Sequence, residues 1–303
     1  MKKILVLMST YNGERYLKEQ VDSIIRQENV EVDILVRDDG SKDNTLKILE
    51  KYQNKGMIRY YKGENMGPAE SFCDAVKYAK HLGGQYDFYA FADQDDVWDE
   101  KKLFVAVQCL KNMDEKYLLY TSALNVVNSN LQFQYKQDAS QYEYPELLLR
   151  NMCAGCTMVF NKATFELLSK YCPNYLEMHD VWLLRLVASS LSGRIYYDSH
   201  SYINYRQHEK NVVGSNKGFS KALKIKIKQL FNKKRNVSRT AQELMSGYEP
   251  ELSEEAKELL DLLGNYYCNF SAKKKLLLYY KKVNFSSKLR KLFFIWDVLY
   301  GNL

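Results

Sequence analysis

The stretch FADQDDVWDEKKL, residues 91–103, joins an apolar run to a cluster of carboxylates. The run Phe88–Ala92 has the length and composition of a buried strand, and Asp93 and Asp95 follow its last residue closely. Two unit charges about 4 Å apart repel by about 1 kcal/mol even in water, and by more near protein of low dielectric constant. Acids this close together at a strand end indicate a function that outweighs their repulsion.

The alternation of apolar runs with helical spacing extends from this stretch over the first 127 residues. Strands are predicted over residues 3–9, 32–37, 58–62, 86–92 and 118–127, and helices over residues 14–27, 44–55, 67–81 and 100–113. This order predicts an α/β fold with a Rossmann-like, mostly parallel sheet that is flanked by helices. Ligands of such sheets bind beyond the carboxyl ends of the strands, so the polar residues at 9–12, 38–41 and 93–96 are expected to face one crevice.

The pattern changes twice in the remaining chain. Residues 128–216 are less regular, and strands are predicted near 156–160, 194–197 and 202–206, with helices over 162–171 and 180–190. From Lys217 onward, Lys, Leu, Tyr and Phe recur at helical spacing, which predicts a helical C-terminal region. This region holds 18 Lys and Arg against 8 Asp and Glu, a net charge of +10, and residues 1–216 carry −3. The uneven charge indicates two parts with different partners.

Absent motifs disfavour several classes of protein. No GxxxxGK[ST] motif follows a predicted strand, and the turn after the first strand is STYNGE, not GxGxxG, which disfavours P-loop NTPases and dinucleotide dehydrogenases. The CxxC of Cys153 and Cys156 stands alone, so both are expected to be buried packing residues. No nucleic-acid-binding motif accompanies the basic charge, so no nucleic-acid partner is expected. No window approaches the roughly 18 apolar residues of a membrane span, and a cytoplasmic protein is expected.

A divalent cation is one explanation of the acidic cluster. Asp93 and Asp95 flank one residue, so their side chains point to the same side of an extended backbone. Without a glycine-rich phosphate loop, a diphosphate needs another counter-charge, which Mg²⁺ or Mn²⁺ held by these carboxylates would supply. The alternative is an acidic first turn of the next helix, which the helix dipole favours. That alternative accounts for Asp99 and Glu100 and leaves Asp93 and Asp95 unexplained.

An ordered set of motifs resembles the family 2 glycosyltransferases, which are inverting enzymes of the GT-A fold that use sugar nucleotides. The matching stretches are STYNGERYLKEQVDSI, VRDDGSKDNT, ENMGPAESF, FADQDDVW, NMCAGCTMVF, MHDVW and YRQHEKNVVG. DQDDVW, HDVW and YRQHEKNVVG are most similar to the bacterial rhamnosyltransferase branch, which builds cell-wall and capsular polysaccharides. The resemblance implies a GT-A domain over residues 1–216, with a nucleotide-binding half (1–127) and an acceptor and catalytic half (128–216), before the helical region 217–303.

The resemblance implies a nucleotide pocket at the first strand ends. Thr10 and Tyr11 would line the pocket for the base. Asp39 would accept a hydrogen bond from the pyrimidine imide, with Asp38 as the second candidate. Asn65, in an N-x-G turn, would lie near the nucleotide. From the residues alone, Tyr11 could instead pack in the core, and Asp39 could shape a turn or cap a helix.

The resemblance also implies a metal site and a catalytic base. Asp93 would lie towards the ribose and the metal, Asp95 would be the main metal ligand, and Asp180 would be the base. The last motif would bring three residues near the diphosphate or the metal: Arg206, Gln207 and His208. From the residues alone, Asp180 could be a helix N-cap and His208 a surface histidine. His179 precedes the base where many members carry Glu, so the local charge differs.

These features together predict a metal-dependent inverting transferase. The first choice of reaction is transfer of L-rhamnose from dTDP-L-rhamnose to a lipid-linked saccharide, in bacterial cell-surface polysaccharide synthesis. A UDP-sugar donor is the alternative, with transfer of a hexose or an N-acetylhexosamine. The Q-x-x-R-W motif of processive synthases is absent, so a single addition or a short extension is expected. Gly155 in NMCAGC would let the backbone approach a sugar closely.

Two other classes remain open at this stage. A sugar-nucleotide pyrophosphorylase shares the sheet and the D-x-D, but it should carry a glycine-rich basic loop after the first strand, which STYNGE does not match. A nucleotide-sugar sensor or scaffold on a membrane would bind the nucleotide without turnover.

The helical region has two amphipathic basic segments. Residues 217–242 contain nine Lys and Arg and no acid. The apolar residues of the first segment are Phe219, Leu223, Ile227, Leu230 and Phe231, and those of the second are Phe285, Leu289, Leu292, Phe293, Trp296 and Leu299. Such segments can lie on an anionic membrane, which predicts a peripheral protein on the inner face of the cell membrane. The alternatives are packing on the catalytic body or the interface of a homodimer.

Overall fold

A computed structural model describes residues 1–139, 144–149, 153–208, 235–281, 285 and 288–303. The strands are β1 Lys2–Thr10, β2 Val30–Asp38, β3 Arg59–Lys62, β4 Phe88–Ala92, β5 Val97–Trp98, β6 Tyr117–Val127, β7 Phe133–Gln137, β8 Val159–Asn161 and β9 Gly193–Arg206. The helices are α1 Leu17–Ile25, α2 Thr45–Asn54, α3 Pro68–Leu82, α4 Lys102–Leu110, α5 Lys162–Leu168, α6 His179–Ser189, α7 Asn236–Tyr248, α8 Glu254–Asn265, α9 Phe270–Lys281 and α10 Lys288–Tyr300.

The strands form one mixed sheet in the order β3-β2-β1-β4-β8-β6-β9-β5, with β7 beside β6. The long pairings, β1 with β2 and β6 with β9, are parallel. Antiparallel pairings are short and involve β8, β5 and β7. The predicted α/β sheet with flanking helices is therefore confirmed.

The sequence pattern missed two strands and divided a third. β5 has two residues, too few for a periodic signal, and β7 is largely exposed. The strands predicted over 194–197 and 202–206 belong to the single strand β9, where the register with β6 shifts at Asp198 and Ser201. The polar residues at this irregularity resemble a turn in sequence, although they belong to a bulged strand.

β1 shows why the centre of the sheet is stable. Leu5 and Leu7 face one apolar cluster, and Ile4, Val6 and Met8 face another on the opposite side of the sheet. All five side chains are buried. A strand covered on both faces is a near-continuous apolar run, as the sequence showed.

The described C-terminal helices share the first of these clusters with α6. Leu183 and Leu186 of α6 lie in the same cluster as Leu244 of α7 and Leu276 of α9. The chain between α7 and α8 also bonds to the end of α6, since the Ser253 amide donates to the Ser189 carbonyl at 3.0 Å. The helical character of residues 217–303 is borne out where the chain is described, and the boundary at 216 remains a prediction. Residues 209–234, with all the apolar residues named for the first amphipathic segment, lie outside the described residues.

Helix α10 carries the second amphipathic segment. Phe294 and Val298 are buried, and Leu292, Trp296 and Leu299 are exposed. Three residues of the predicted apolar stripe thus lie on the solvent side, because other apolar residues of the same helix contact the core. Among the described helices, none is both long enough and apolar enough to cross a membrane.

Candidate active site

Gln94 connects the ends of β1 and β4. The Thr10 hydroxyl donates to Gln94 Oε1 at 2.6 Å, and the Tyr11 amide donates to the same oxygen at 2.9 Å. Thr10 is buried, and its hydroxyl is already used to hold Gln94. The Tyr11 side chain is 42 % exposed, which excludes core packing and leaves it able to contact a ligand. Sequence analysis assigned Gln94 no role, although it holds two predicted strand ends together.

The DDGS turn buries two carboxylates with different partners. Asp38 Oδ2 accepts from the amides of Gly40 and Ser41, at 3.2 and 2.9 Å, and its Oδ1 is buried with no described partner. Asp39 accepts from the Arg37 guanidinium and from two amides of the turn before α3. Both carboxylates therefore hold turns: Asp38 holds its own turn, and Asp39 holds the turn before α3, as its turn-shaping alternative predicted. Which of the two carboxylates meets a base stays a prediction.

Asn65 lies on the exposed turn between β3 and α3. A Cβ on Gly40, which has φ +82°, would lie 3.2 Å from the Asn65 amide nitrogen. The left-handed backbone of Gly40 brings the DDGS turn and the Asn65 turn close together. Asn65 is thus beside the predicted base pocket, where its role in binding stays a prediction.

The acids after β4 form a tight cluster. Ligand atoms of Asp93, Asp96 and Cys156 lie within 4.8 Å of one another. Asp95 Oδ2 lies 2.8 Å from His208 Nε2, so the two predicted metal ligands are in contact. One oxygen of Asp96 is buried with no described partner. Cys153 and Cys156 are buried as expected, but Cys156 also borders this cluster, which its position in the sequence did not indicate.

Burial and mutual repulsion raise the pKa values of these carboxyls. Burial, then the charges of Asp95 and Asp180, raise the pKa of Asp93 to about 7. Burial raises the pKa of Asp95, and the contact with His208 acts in the opposite direction. Burial, then the neighbouring acids, raise the pKa of Asp96 well above its ordinary value. Full ionisation of the cluster is therefore unfavourable until a cation neutralises it.

Lys102, the first residue of α4, is a second group that sequence analysis missed. Its ammonium is buried, lies 3.6 Å from the ring centre of Trp98 and has no hydrogen-bond acceptor among the described residues. Burial lowers the pKa of Lys102 to about 7, against the charges of Cys156 and Asp96. Lys102 is therefore a buried amine close to Cys156 and Asp96, which would gain or lose its proton near neutral pH.

Arg206 is close to the cluster, at the end of β9. Its Nε donates to the Asp95 carbonyl at 2.8 Å, its Nη1 donates to the Ser129 carbonyl at 2.6 Å, and its Nη2 pairs with Glu19. Its backbone amide donates to Asp96 at 3.2 Å. These contacts fix the turn that carries the D-x-D motif, and a contact of Arg206 with a diphosphate stays a prediction.

Asp180 lies in the first turn of α6. Its Oδ1 accepts from the Val181 amide at 2.7 Å, and the N-cap position belongs to Met178. Burial raises the pKa of Asp180 to about 6. Asp180 is near enough to the D-x-D cluster for its charge to raise the pKa of Asp93. The structure thus brings the predicted base and the acidic cluster into one site.

His179 fills the space beside Gly155. Its ring stacks on Phe72 at 3.8 Å and contacts Phe91 edge-on at 4.9 Å. Burial lowers the pKa of His179 to about 3, so the ring is neutral at physiological pH. A Cβ on Gly155 would lie 2.5 Å from His179 Nε2. The glycine therefore makes room for the histidine, and the approach of a sugar to its backbone stays a prediction.

Comparison with known proteins identifies the family to which this chain belongs. Residues 5–167 match the model of glycosyl transferase family 2. A Shigella flexneri protein described as dTDP-rhamnosyl transferase RfbG is 32% identical over 243 residues, which are 74% of this chain and 78% of that protein. The chain belongs to the family 2 glycosyltransferases. It is an inverting glycosyltransferase, and the pyrophosphorylase and sensor alternatives are no longer needed.

Solved structures show the same fold as this family 2 glycosyltransferase. Residues 1–349 of S. aureus TarS, solved with UDP-GlcNAc, align with a TM-score of 0.58 at 19% identity, over 100% of this chain and 82% of that one. The mannosyltransferase PcManGT from Pyrobaculum calidifontis, solved with GDP-Man and Mn²⁺, aligns with a TM-score of 0.52 at 13% identity, over 99% of this chain and 85% of that one. The predicted GT-A fold is thereby confirmed.

Proposed function

We propose that this glycosyltransferase transfers L-rhamnose from dTDP-L-rhamnose to a lipid-linked saccharide acceptor, with a divalent cation at the D-x-D motif. The observation that carries the proposal is that Asp180 lies against Gly155, the neighbour of Cys156, which borders the cluster of Asp93 and Asp96. The choice of donor is supported by the relative described as a dTDP-rhamnosyl transferase. A UDP-N-acetylhexosamine donor is the second candidate, because the TarS structure was solved with UDP-GlcNAc.

The side chains of the cluster fit Mg²⁺ or Mn²⁺. Asp93 and Asp95 offer carboxylate oxygens, and His208 offers an imidazole beside Asp95. The buried oxygen of Asp96 without a described partner adds a further acceptor next to them. A bound cation would neutralise these acids and stabilise the charge on the leaving diphosphate.

Asp180 would act as the general base in one in-line displacement. Its carboxylate takes the proton of the acceptor hydroxyl as that oxygen attacks the anomeric carbon, and the bond from that carbon to the diphosphate breaks. The raised pKa makes Asp180 a stronger base than an exposed aspartate. The hydrogen bond that its carboxylate accepts from the Val181 amide fixes its orientation.

The substitution Asp180→Asn tests the assignment of the base. The amide keeps the size of the side chain and cannot accept the proton, so we expect kcat to fall by about 10³-fold or more. The affinity for the nucleoside diphosphate, measured by calorimetry, should stay within about twofold, because Asp180 would contact the acceptor. Near-normal turnover in this variant would exclude Asp180 as the base.

Donor and metal are tested together by thermal shift. We expect dTDP-rhamnose with Mn²⁺ to raise the Tm more than UDP-glucose, UDP-galactose or UDP-GlcNAc does, and EDTA to remove most of this increase. A larger increase with UDP-GlcNAc would favour the second candidate. An increase that EDTA leaves unchanged would contradict the metal site.

The exposed face of α10 is proposed to bind an anionic membrane. Leu292, Trp296 and Leu299 are each about half exposed or more, and Trp296 stacks on the exposed Tyr300 at 4.8 Å. The exposed Lys288, at the start of the helix, is four residues before Leu292 and so lies on the same face. Aromatic and aliphatic side chains beside cations fit the interface of anionic lipids. This position would bring the enzyme to a lipid-linked acceptor at the inner face of the membrane.

A further inference from the structure

Arg37 joins three parts of the donor half. Its side chain is 1% exposed. Nε donates to Asp74 Oδ2 at 2.7 Å, Nη1 donates to Asp39 and to Ser71 Oγ, and Nη2 donates to the Glu64 carbonyl at 3.0 Å. The guanidinium therefore ties the end of β2 to α3 and to the turn between β3 and α3. A planar fork of donors holds a carboxylate in a fixed direction, which a lysine does not do.

Asp39 is held by this fork and by two backbone amides. Its Oδ1 accepts from Arg37 and from the Met66 amide at 3.1 Å, and its Oδ2 accepts from the Gly67 amide at 3.0 Å. Oδ2 accepts only one of these three bonds, which leaves a lone pair for a further donor. The direction of that lone pair depends on the position of Arg37.

Gly63 gives independent support for a fixed position of the Arg37 guanidinium. A Cβ on Gly63 would lie 2.3 Å from Arg37 Nη2 and 2.7 Å from its Cζ. Gly63 does not have a left-handed backbone, so its lack of a side chain serves the guanidinium and not a turn. The chain has space beside β3 for this arginine and for no additional carbon atom.

We infer that Arg37 is a positioning residue for base recognition, which holds Asp39 as a fixed acceptor for the imide N–H of uracil or thymine. Cytosine presents an acceptor at the same ring nitrogen, so a carboxylate in this position would repel it. The inference rests on the proposed function, because it takes Asp39 as the residue that meets the base. Arg37 would be the group that makes the contact of Asp39 with the base selective.

The test is calorimetric titration of the full chain with UDP, dTDP and CDP in the presence of Mn²⁺. Two variants disturb the guanidinium from different sides: Arg37→Lys removes the fork and keeps the charge, and Gly63→Ala pushes on Nη2. We expect both variants to reduce the preference for UDP and dTDP over CDP by about tenfold, the value of one charge-assisted hydrogen bond. In assays with sugar donor, KM should rise more than kcat falls.

Arg185→Lys is the matched control. Arg185 is also buried and donates to Glu177 and Thr240, in a different part of the molecule. This variant should keep the base preference of the wild type, even if its Tm falls.

The outcomes distinguish an error in the base contact of Asp39 from an error in the role of Arg37. If the wild-type protein binds CDP as tightly as UDP, the base contact of Asp39 and the role of Arg37 are both wrong. If the wild type prefers UDP and dTDP over CDP and both variants keep this preference, the role of Arg37 alone is wrong. Equal weakening of all three ligands would indicate a purely structural arginine and would also overturn the inference.

Discussion

The carboxylate of Asp180 has a pKa of about 6 because it is buried at the first turn of α6. A general base acts in its deprotonated form, so the rate should depend on pH around this value. We expect kcat to rise about tenfold per pH unit below 6 and to level off above about 7. Steady-state rates between pH 5 and 8 at saturating donor and metal would measure this profile. A flat profile would show that the proton is taken by another group.

The raised pKa of Asp180 lowers the stability of the folded state as the pH rises. The folded carboxyl keeps its proton to about pH 6, and an unfolded aspartate loses it near pH 3.9. The native state therefore binds more protons between these values, and the contribution of Asp180 to the stability decreases as the pH rises from about 4 to about 6. The burial that raises the pKa of Asp180 thus lowers the stability of the folded state above about pH 4.

At the residue scale, sequence motifs indicated the polar groups at the strand ends better than the groups that hold them in place. Asp93, Asp95 and His208 are together, as predicted. Gln94, Cys156, Lys102 and Arg37 were missed, because their burial and their neighbours depend on the fold. Only the strand order shows that β8, which follows Cys156 closely, lies beside β4.

At the scale of elements, α10 has one packed face and one exposed apolar face. The buried face contains Phe294 and Val298. We expect Phe294→Ala to cost about 3–5 kcal/mol of stability through the cavity it leaves. The double variant Leu292→Ser with Trp296→Ser should cost less than about 1 kcal/mol, because both residues are exposed. Chemical denaturation would measure the two effects.

The same double variant tests the membrane proposal without disturbing the core. We expect the wild type to float with liposomes that contain anionic lipid and the double variant to remain largely in the soluble fraction. Failure of the wild type to float would contradict membrane binding. If light scattering instead shows a dimer that the double variant loses, the exposed face is an interface between two copies.

At the scale of the whole molecule, the described C-terminal helices share an apolar core with α6. Leu244 and Leu276 lie in the core cluster of α6, which carries Asp180 in its first turn. We expect a chain that ends at residue 208 to aggregate or to unfold at a much lower temperature, because the apolar face of α6 would be exposed to water. Expression of this fragment beside the full chain, with Tm measured by fluorescence, is the test. A fragment with the Tm of the full chain would show two independent domains.

The sequence by itself determined the α/β alternation, the family and the acids at the strand ends. Each of these depends on residues close together in the chain, where apolar period, turn chemistry and motif spacing are directly visible. The tertiary structure alone decided which face of α10 is exposed, that the described C-terminal helices share a core with α6, and that Arg37 and Lys102 are buried near carboxylates. These features depend on contacts between residues far apart in the chain, and burial sets both their charge states and their packing. A sequence pattern records that a side chain is apolar or charged, and only the fold determines what it contacts.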